Sequence, residues 1–306
     1  MSGFGTVGLT SQSGGSGWGF MRNGNQPGAT SSTSFTSDSR AGVQLNWSGG
    51  ALWEGAVQAV GFQRPPGTSL SESIEWAYAA YRLGPNTRVR VGRTSPDIFL
   101  FADGRSVGYA LPWVRPPVDF YGFSPVSSLD GVDLEHRWTS VDANWRAHVA
   151  TGSFNSSSAS SRGERYPLHG RDVWALSLSR EQGGLLLKAS YLRTRLKADL
   201  GPDIQQLRAG LDQLAAIPVT GLADTIEPLR QNLWAGGLGS YVALAAQYDT
   251  GPWTIVTEGS NLKVPNSPLD ARRGMPASAF DLETFRTMAS SAASRHGVRR
   301  HRPPIW

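Results

Sequence analysis

The most informative absence is that of cysteine, since none of the 306 residues is one. Disulfide frameworks, zinc sites with cysteine ligands, iron–sulfur clusters and thiol nucleophiles are therefore excluded. Long apolar runs are absent too, because no window approaches the roughly 18 consecutive apolar residues of a membrane-spanning helix. Charge is also scarce, at 17% of residues, against about 25% in ordinary soluble domains. We expect no cofactor and no bound metal.

Glycine and aromatic residues take the place of charge and aliphatic bulk. The chain has 36 glycines, 11 tryptophans, 8 tyrosines and 11 phenylalanines, which argues against a helical or doubly wound domain. The formal net charge of +5 suggests a nucleic-acid partner at first sight. However, residues 271–306 hold seven arginines against Asp281 and Glu283, so residues 1–270 are neutral. We therefore expect no nucleic-acid partner.

Apolar residues recur at every second position along most of the chain, which is the period of a β-strand. In the segment 41–47, for example, Ala41, Val43, Leu45 and Trp47 alternate with small or polar residues. The eleven predicted strands cover 3–10, 41–47, 53–62, 74–81, 87–92, 132–138, 145–149, 174–178, 185–196, 242–248 and 253–260. The sequence therefore predicts an all-β fold.

The connections between these strands alternate between short and long. The short ones carry Gly, Pro, Asn and Asp in turn patterns, and the long ones cover 11–38, 63–71, 94–130, 155–171 and 197–237. Transmembrane barrels have short turns at one end and long loops at the other, whereas a soluble sandwich has no reason to segregate them. The pattern predicts an antiparallel transmembrane β-barrel that is incomplete here.

One connection contains a helical pattern. Ile204, Leu207, Leu211 and Leu214 form a stripe with helical spacing, so we expect one short helix over 203–217. It is either a packing helix within a long outer loop or a lid.

The connection 94–130 is the strongest candidate for a functional element. It is rich in proline and aromatic residues and too long to lack structure without a function. The strand before it places Arg88 and Arg90 on the face opposite Val89 and Val91, and hence in the lumen. An acidic loop folded against wall arginines would filter small polar solutes by size and charge, although rim salt bridges and loop solvation would explain the same residues. The predicted pore-lining residues are Arg88, Arg90, Asp97, Asp103, Arg115, Asp119, Glu135 and Arg137.

The same alternation assigns aromatic residues to the lipid-facing side, several of them in interfacial girdles. These are Trp47, Trp76, Trp138, Trp145, Trp174 and Tyr248.

Two stretches resemble a known family. Residues 2–9, SGFGTVGL, are similar to the first mature strand of Gram-negative outer-membrane porins. The run RVRVGR at 88–93, with YALPWVRPP at 109–117, resembles a proteobacterial porin-like family at the strand leading into its constriction loop. The resemblance covers residues 2 to about 271. It implies a 16-stranded homotrimeric barrel in the outer membrane, surrounded by outer-membrane lipid. It also implies an inward-folded third loop, passive diffusion of small hydrophilic solutes or ions, and no enzymatic activity.

The chain departs from that family at both ends. No signal peptide precedes the first strand, and the alternation stops after residues 261–273. Single-chain bacterial barrels have an even number of strands, but eleven are predicted here. We therefore expect residues 1–271 to form a partial barrel, and 272–306 to be a basic non-barrel tail that is disordered or frameshifted.

Three other interpretations remain open. A soluble secreted β-sandwich or lectin-like binding module would also be rich in strands. A barrel hydrolase would need a Ser–His pair projecting near one rim, and none is spaced convincingly. The third interpretation is that the chain is a truncated product without function.

Overall fold

The computed structural model describes residues 1–11, 33–63, 70–113, 115–122, 126–159, 165–199, 201–232, 236–265 and 271–281. In chain order the strands are β1 (Ser2–Thr6), β2 (Thr10–Ser11), β3 (Thr33–Ser34), β4 (Arg40–Gly49), β5 (Trp53–Gln63), β6 (Leu70–Gly84), β7 (Thr87–Thr94), β8 (Leu129–Ser140), β9 (Ala143–Ala159), β10 (Arg165–Gln182), β11 (Leu185–Ala198), β12 (Gly236–Thr250), β13 (Trp253–Lys263) and β14 (Ala271–Asp281). The helices are α1 (Gly201–Ala215) and α2 (Leu222–Asn232).

Twelve of the strands form one antiparallel sheet, which confirms the predicted all-β class. The sheet runs in the order β1, then β4 to β14, so each strand pairs with its neighbour in the chain. Strands β2 and β3 form a separate two-stranded sheet. Among the described residues β1 and β14 do not pair with each other. The architecture is therefore an open, partial β-barrel.

Strand β14 extends the sheet beyond the residue at which we expected the barrel to end. Its backbone pairs with β13 from Trp253↔Asp281 to Leu262↔Ala271, although apolar and polar residues do not alternate in its sequence. Backbone pairing needs no alternation, and an edge strand tolerates a proline such as Pro276. The division of the chain near residue 271 stays a prediction, and residues 282–306 lie outside the described residues.

One predicted long connection is wrong. Residues 155–171 belong mostly to β9 and β10, whose ladder continues as far as Arg165↔Ala159. The serine-rich sequence there resembles a loop, but its backbone groups are paired all the same. The short turns lie together at one end of the sheet, opposite the end that carries the long connections. Gly50, Gly183 and Gly251 adopt positive φ angles in these turns.

The helical pattern at 203–217 is confirmed by α1. The sequence did not predict α2, because Pro228 lies inside it and proline normally interrupts a helix. The two helices contact each other, and α1 has no buried residue. No helix in the described parts of the chain combines the length and apolarity needed to cross a membrane.

The sheet has an inner face, which is covered by the connection 95–128, and an opposite outer face. Trp47, Trp174 and Tyr248 are exposed on the outer face. The stacked pair Trp138 and Trp145 lies on the same face and is half-buried. These positions agree with the predicted alternation.

Trp76 is the exception among the predicted lipid-facing aromatics. It pairs with the buried Gln58, whereas Ile74 pairs with Ala59, so Glu75 is an extra residue in β6. Such a bulge changes the face to which the following side chains point. Trp76 therefore lies on the inner face, which corrects its assignment.

A hydrophobic core joins the connection 95–128 to the inner face of β9–β13. Phe99 packs against Phe120, Tyr121 and Tyr241 with ring centroids 5.4–5.8 Å apart. The strands contribute buried residues that include Phe154, Val173, Leu192 and Val256.

Gly92 gives a test of this sheet. Its φ of +128° is one that side chains rarely adopt, and a Cβ there would lie 2.3 Å from the Ala77 carbonyl oxygen. We expect Gly92→Ala to lower the free energy of unfolding by about 1–3 kcal/mol, measured by denaturant titration in detergent. Gly61→Ala is the control, because its Cβ would meet nothing closer than 3.9 Å. Equal effects of the two substitutions would contradict the strand geometry.

Candidate functional site

The connection 95–128 crosses the inner face and is bonded to strands on both sides of it. It contains a short 3₁₀ turn at Gly108–Ala110 and a π-helical turn at Val118–Gly122. Its side chains and backbone reach Glu75 on β6, Lys188 on β11 and Glu258 on β13. These contacts spread over eight consecutive strands of the sheet, so the connection lies across the concave side.

The first anchor of the connection is the carboxylate of Asp97, which is 4% exposed. It accepts hydrogen bonds from Lys188 Nζ on β11 and from Ser177 Oγ (2.7 Å) on β10. Arg146 on β9 also pairs with it. Burial alone would raise the pKa of Asp97, but Lys188 and Arg146 outweigh it and hold that pKa well below its usual range. The carboxylate is therefore charged and fully paired.

The second anchor is Glu258, a buried carboxylate on the inner face of β13. It accepts a hydrogen bond from the Tyr121 hydroxyl and another from the Leu100 backbone N–H at 3.2 Å. Burial, followed by the nearby Glu258, raises the pKa of Tyr121 far above its usual value, so its phenol stays protonated and donates. The connection is thereby held at two points on opposite sides of Phe99.

A buried group of charges lies on the strands next to the first anchor. Arg90 Nε donates to both oxygens of Asp133, at 2.7 and 3.0 Å, and Arg90 Nη2 lies 3.2 Å from His148 Nε2. Arg90 also stacks over the Tyr78 ring at 5.3 Å. Since unpaired buried charges are costly, this pairing explains how Arg90 and Asp133 lie below 10% exposure.

A small cavity of about 40 Å³ lies between the connection and strands β4–β6. Its lining includes Arg40, Glu75, Arg105 and Ser106. Ser106 Oγ donates to Glu75 at 2.6 Å, but Arg40 Nε and Nη2 have no hydrogen-bond partner in the structure, although both are buried. A buried donor without a hydrogen-bond partner costs about 1–3 kcal/mol. Water or a small anion that accepted from Arg40 would therefore be stabilised in this cavity.

The inner face also carries a group of partly exposed arginines near the short turns. Arg82, Arg88, Arg137 and Arg146 share the two carboxylates of Glu54 and Glu135. Arg137 and Arg146 are direct cross-strand partners, and Glu135 bonds to both. We call these six residues the turn-side cluster; its formal charge is positive because four cations face two anions.

The structure brings only some of the predicted pore-lining residues to accessible positions. Arg88 and Arg137 keep side-chain exposures of 23% and 45%. Asp103 is exposed in the connection, and Arg115 pairs with Asp38 at 2.7 Å. The Asp119 side chain lies outside the described residues.

Arg90, Asp97 and Glu135 do not line an open lumen, which corrects their predicted position. Each is at most 7% exposed and engaged in ion pairs. The expected field between loop acids and wall arginines is largely closed here, because Asp97 is in direct contact with Arg146 and Lys188.

Several important residues were not predicted from the sequence, namely Arg40, Glu75, Arg146, Lys188 and Glu258. Lys188 and Glu258 do carry a signal, because each is a charge at an inward position of an otherwise alternating strand. The described residues contain no group of three or more His, Asp or Glu side chains arranged to hold a metal ion.

No protein-family model matches the chain, and no curated protein matches it. Among solved structures it is similar to the outer membrane channel DcaP of Acinetobacter baumannii, with 13% identity and a TM-score of 0.41 over 75% of this chain. The alignment spans 53% of that channel, so this chain matches about half of its length.

Two further structures show weaker similarity. One is OmpF of Salmonella typhi in complex with daunomycin, with 11% identity, a TM-score of 0.37, and coverage of 85% of this chain and 77% of the other. The other is OmpT of Vibrio cholerae, with 7% identity, a TM-score of 0.29, and coverage of 79% and 70%.

The Asp97 anchor gives a direct test. Lys188→Met leaves a buried carboxylate without its principal cation, so we expect unfolding to become easier by about 3–5 kcal/mol. The loop 95–128 should also become more sensitive to protease. The double variant Asp97→Leu/Lys188→Met should recover much of the stability, because it removes both charges. Lys197→Met, at an exposed position on the same strand, is the control; if it destabilises as much, the anchor is not what holds the loop.

Proposed function

We propose that this chain forms the wall and constriction of an outer-membrane pore through which small hydrophilic solutes diffuse passively. The observation that carries the proposal is the loop 95–128 tied across the inner face of an open barrel sheet. A bonded inner loop narrows a lumen by a fixed amount, which selects solutes by size. No reacting group is required, and we propose no enzymatic activity.

The distribution of side chains supports a location in a membrane. The outer face of the sheet exposes large apolar residues that a soluble protein would bury. They include Val43, Leu45, Val57, Val91, Val132, Leu134, Leu176, Leu178, Leu187, Val242 and Leu244. The inner face instead carries paired charges and hydroxyl groups, as a water-filled barrel requires.

The positive charge of the turn-side cluster supports a preference for anionic solutes. Arg88 and Arg137 are its accessible members on the two strands that flank the loop. At the long-connection end of the sheet, Arg40 has unused donors in the cavity between the loop and β4–β6. Positive side chains along a narrow path raise the local concentration of anions. An open sheet edge is not stable in lipid, so we propose that the sheet closes in the complete barrel. The trimeric assembly that we propose for this barrel rests on the resemblance of the sequence to porins.

A soluble lectin-like module remains the second candidate only if the protein stays soluble without detergent. The outer apolar face argues against it, because that face has no covering layer among the described residues. A hydrolase is not supported by the described residues either. His148 contacts Arg90 and Asp133, and its cross-strand neighbour Ser177 donates its hydroxyl to Asp97 instead of to the imidazole.

Single-channel recording tests the pore. We expect the full chain, refolded in detergent and added to a planar lipid bilayer, to give stable discrete conductance steps with anions favoured over cations. Arg88→Gln/Arg137→Gln should shift the reversal potential in a salt gradient toward cations, because it removes two lumen charges. Arg208→Gln, exposed on α1, is the control. Absence of steps in repeated preparations would refute the pore, and an unchanged reversal potential would refute the role of the cluster.

The two faces can be tested separately. Val43 is 46% exposed on the outer face, and its neighbour Gln44 bonds to Gln58 on the inner face. We expect Val43→Arg to lower the stability of the refolded protein in vesicles by about 2–4 kcal/mol, the cost of arginine near the middle of the bilayer. Gln44→Arg should have much less effect. Equal losses would show that lipid does not contact this face.

A further inference from the structure

Arg40, the first residue of β4, is a buried cation whose donors are not used by the protein. The residue is 5% exposed, and neither Nε nor Nη2 has a hydrogen-bond partner. Within the described parts of the chain it forms no ion pair either. The buried Arg90 shows the contrast, because it donates to both oxygens of Asp133. Since a buried charge without a partner is costly, the Arg40 guanidinium is a binding group for an acceptor.

The guanidinium of Arg40 is held between the barrel wall and the connection 95–128. A Cβ on Gly108 would lie 2.9 Å from Arg40 Nη2 and 3.1 Å from Thr6 Oγ1. The 3₁₀ turn at Gly108–Ala110 therefore lies directly against the guanidinium and against β1. Because this turn covers it, the side chain cannot reach open water without displacing the loop.

The cavity beside Arg40 has the size of a small ion. Its volume is about 40 Å³, whereas one water molecule requires about 10–15 Å³. The space therefore accommodates a few waters or one compact anion. Val60, Phe62 and Pro116 form apolar parts of the lining, and their side chains offer no acceptor to Arg40.

The described residues that line this cavity carry a formal charge of +1. Arg40 and Arg105 are cations, and Glu75 is the acid. The acid is already engaged, because Ser106 Oγ donates to it at 2.6 Å. Arg105 Nη1 is held by the Val126 carbonyl oxygen at 3.0 Å. Burial lowers the pKa of Arg105, and Glu75 offsets this effect only in part, so one further negative charge would balance the group.

We propose that this cavity binds one small monovalent anion, of the size of chloride, which accepts hydrogen bonds from Nε and Nη2 of Arg40 and faces Arg105 of the loop. A single negative charge matches the charge of the lining. Water is the competing occupant, because it also accepts hydrogen bonds. The anion is favoured over water since it neutralises a buried charge as well.

A bound anion would fasten the loop on the side of the lumen away from its other anchors. The Asp97 and Glu258 anchors lie on β9–β13, whereas on β6 the loop is bonded to Glu75. An anion shared by Arg40 on β4 and Arg105 in the loop adds a third anchor there. The site lies beneath the loop, so it depends on the contact between loop and wall and not on permeation.

Thermal unfolding of the refolded full chain in a non-ionic detergent tests the site. Sodium chloride replaces sodium gluconate at constant ionic strength and pH, because gluconate is too large for the cavity. An anion that binds only the folded chain stabilises it by mass action. We expect chloride to raise the melting temperature by a few degrees, with saturation, and to slow the cleavage of the loop 95–128 by protease.

Two variants separate this site from other charges. Arg40→Met keeps the bulk of the side chain but removes its donors, so both responses to chloride should disappear. Arg208→Met removes the same charge at an exposed position on α1 and should keep both responses. Equal responses in the two variants would overturn the proposal.

Bromide locates the anion in the wild type, so the proposal stays testable if Arg40→Met does not fold. In crystals grown with sodium bromide, an anomalous difference map should show a peak in contact with Nε and Nη2 of Arg40. Density without anomalous signal at this position would identify water and overturn the proposal, as would bromide bound only at the turn-side cluster. Missing conductance steps together with the bromide peak would refute the pore while supporting the anion site.

Discussion

The fold of this chain depends on the charge of one buried carboxylate. Asp97 lies three residues after the end of β7. It forms ion pairs with cations from two strands, Arg146 and Lys188. Lys188 also donates to the Phe99 carbonyl oxygen at 2.6 Å, which places the Phe99 ring in the aromatic cluster. Because the charge of Asp97 cannot be buried without partners, these contacts determine where the loop lies. The loop in turn covers apolar residues of β9–β13 that would otherwise face water.

The strands have two different surroundings, one on the outer face and one on the inner face. The alternation of their side chains places a different set of residues on each face. On β11 the outward residues are apolar and then basic, while the inward residues include Lys188, Ser190 and Leu192. A shift of one residue would exchange the two sets. Where the chain inserts one residue, at Glu75, Trp76 moves to the inner face and Glu75 becomes available to Ser106. The bulge thus supplies one of the contacts that hold the loop.

Local sequence patterns were sufficient to predict β1, β4 to β13, the short turns and α1, because alternation, turn residues and helical spacing are each visible within a short segment. They were insufficient wherever backbone pairing or long-range contact decides. Strand β14 has no alternation, the ends of β9 and β10 look like loop, and Pro228 conceals α2. Among the charged residues, the inward positions of Arg88 and Arg90 followed from the sequence, but whether each meets water or a partner did not. That depends on Asp133 and Glu135, whose distance from them in space is set by the pairing of β7 with β8.

Residues 1–270 are neutral as a whole, but their charges are not evenly distributed, because the buried ion pairs balance one part of them. Lys188 and Arg90 are matched by Asp97 and Asp133, so the buried interior is close to balanced. The surplus cations remain at accessible positions, in the turn-side cluster and at Arg171, Arg193, Arg195, Lys197 and Lys263 on the outer face, while acids collect in the segment 199–232. These accessible charges are screened by salt much more than the buried pairs are. The interior pairs hold the loop in place, whereas the exposed and half-buried arginines remain accessible on both faces of the sheet.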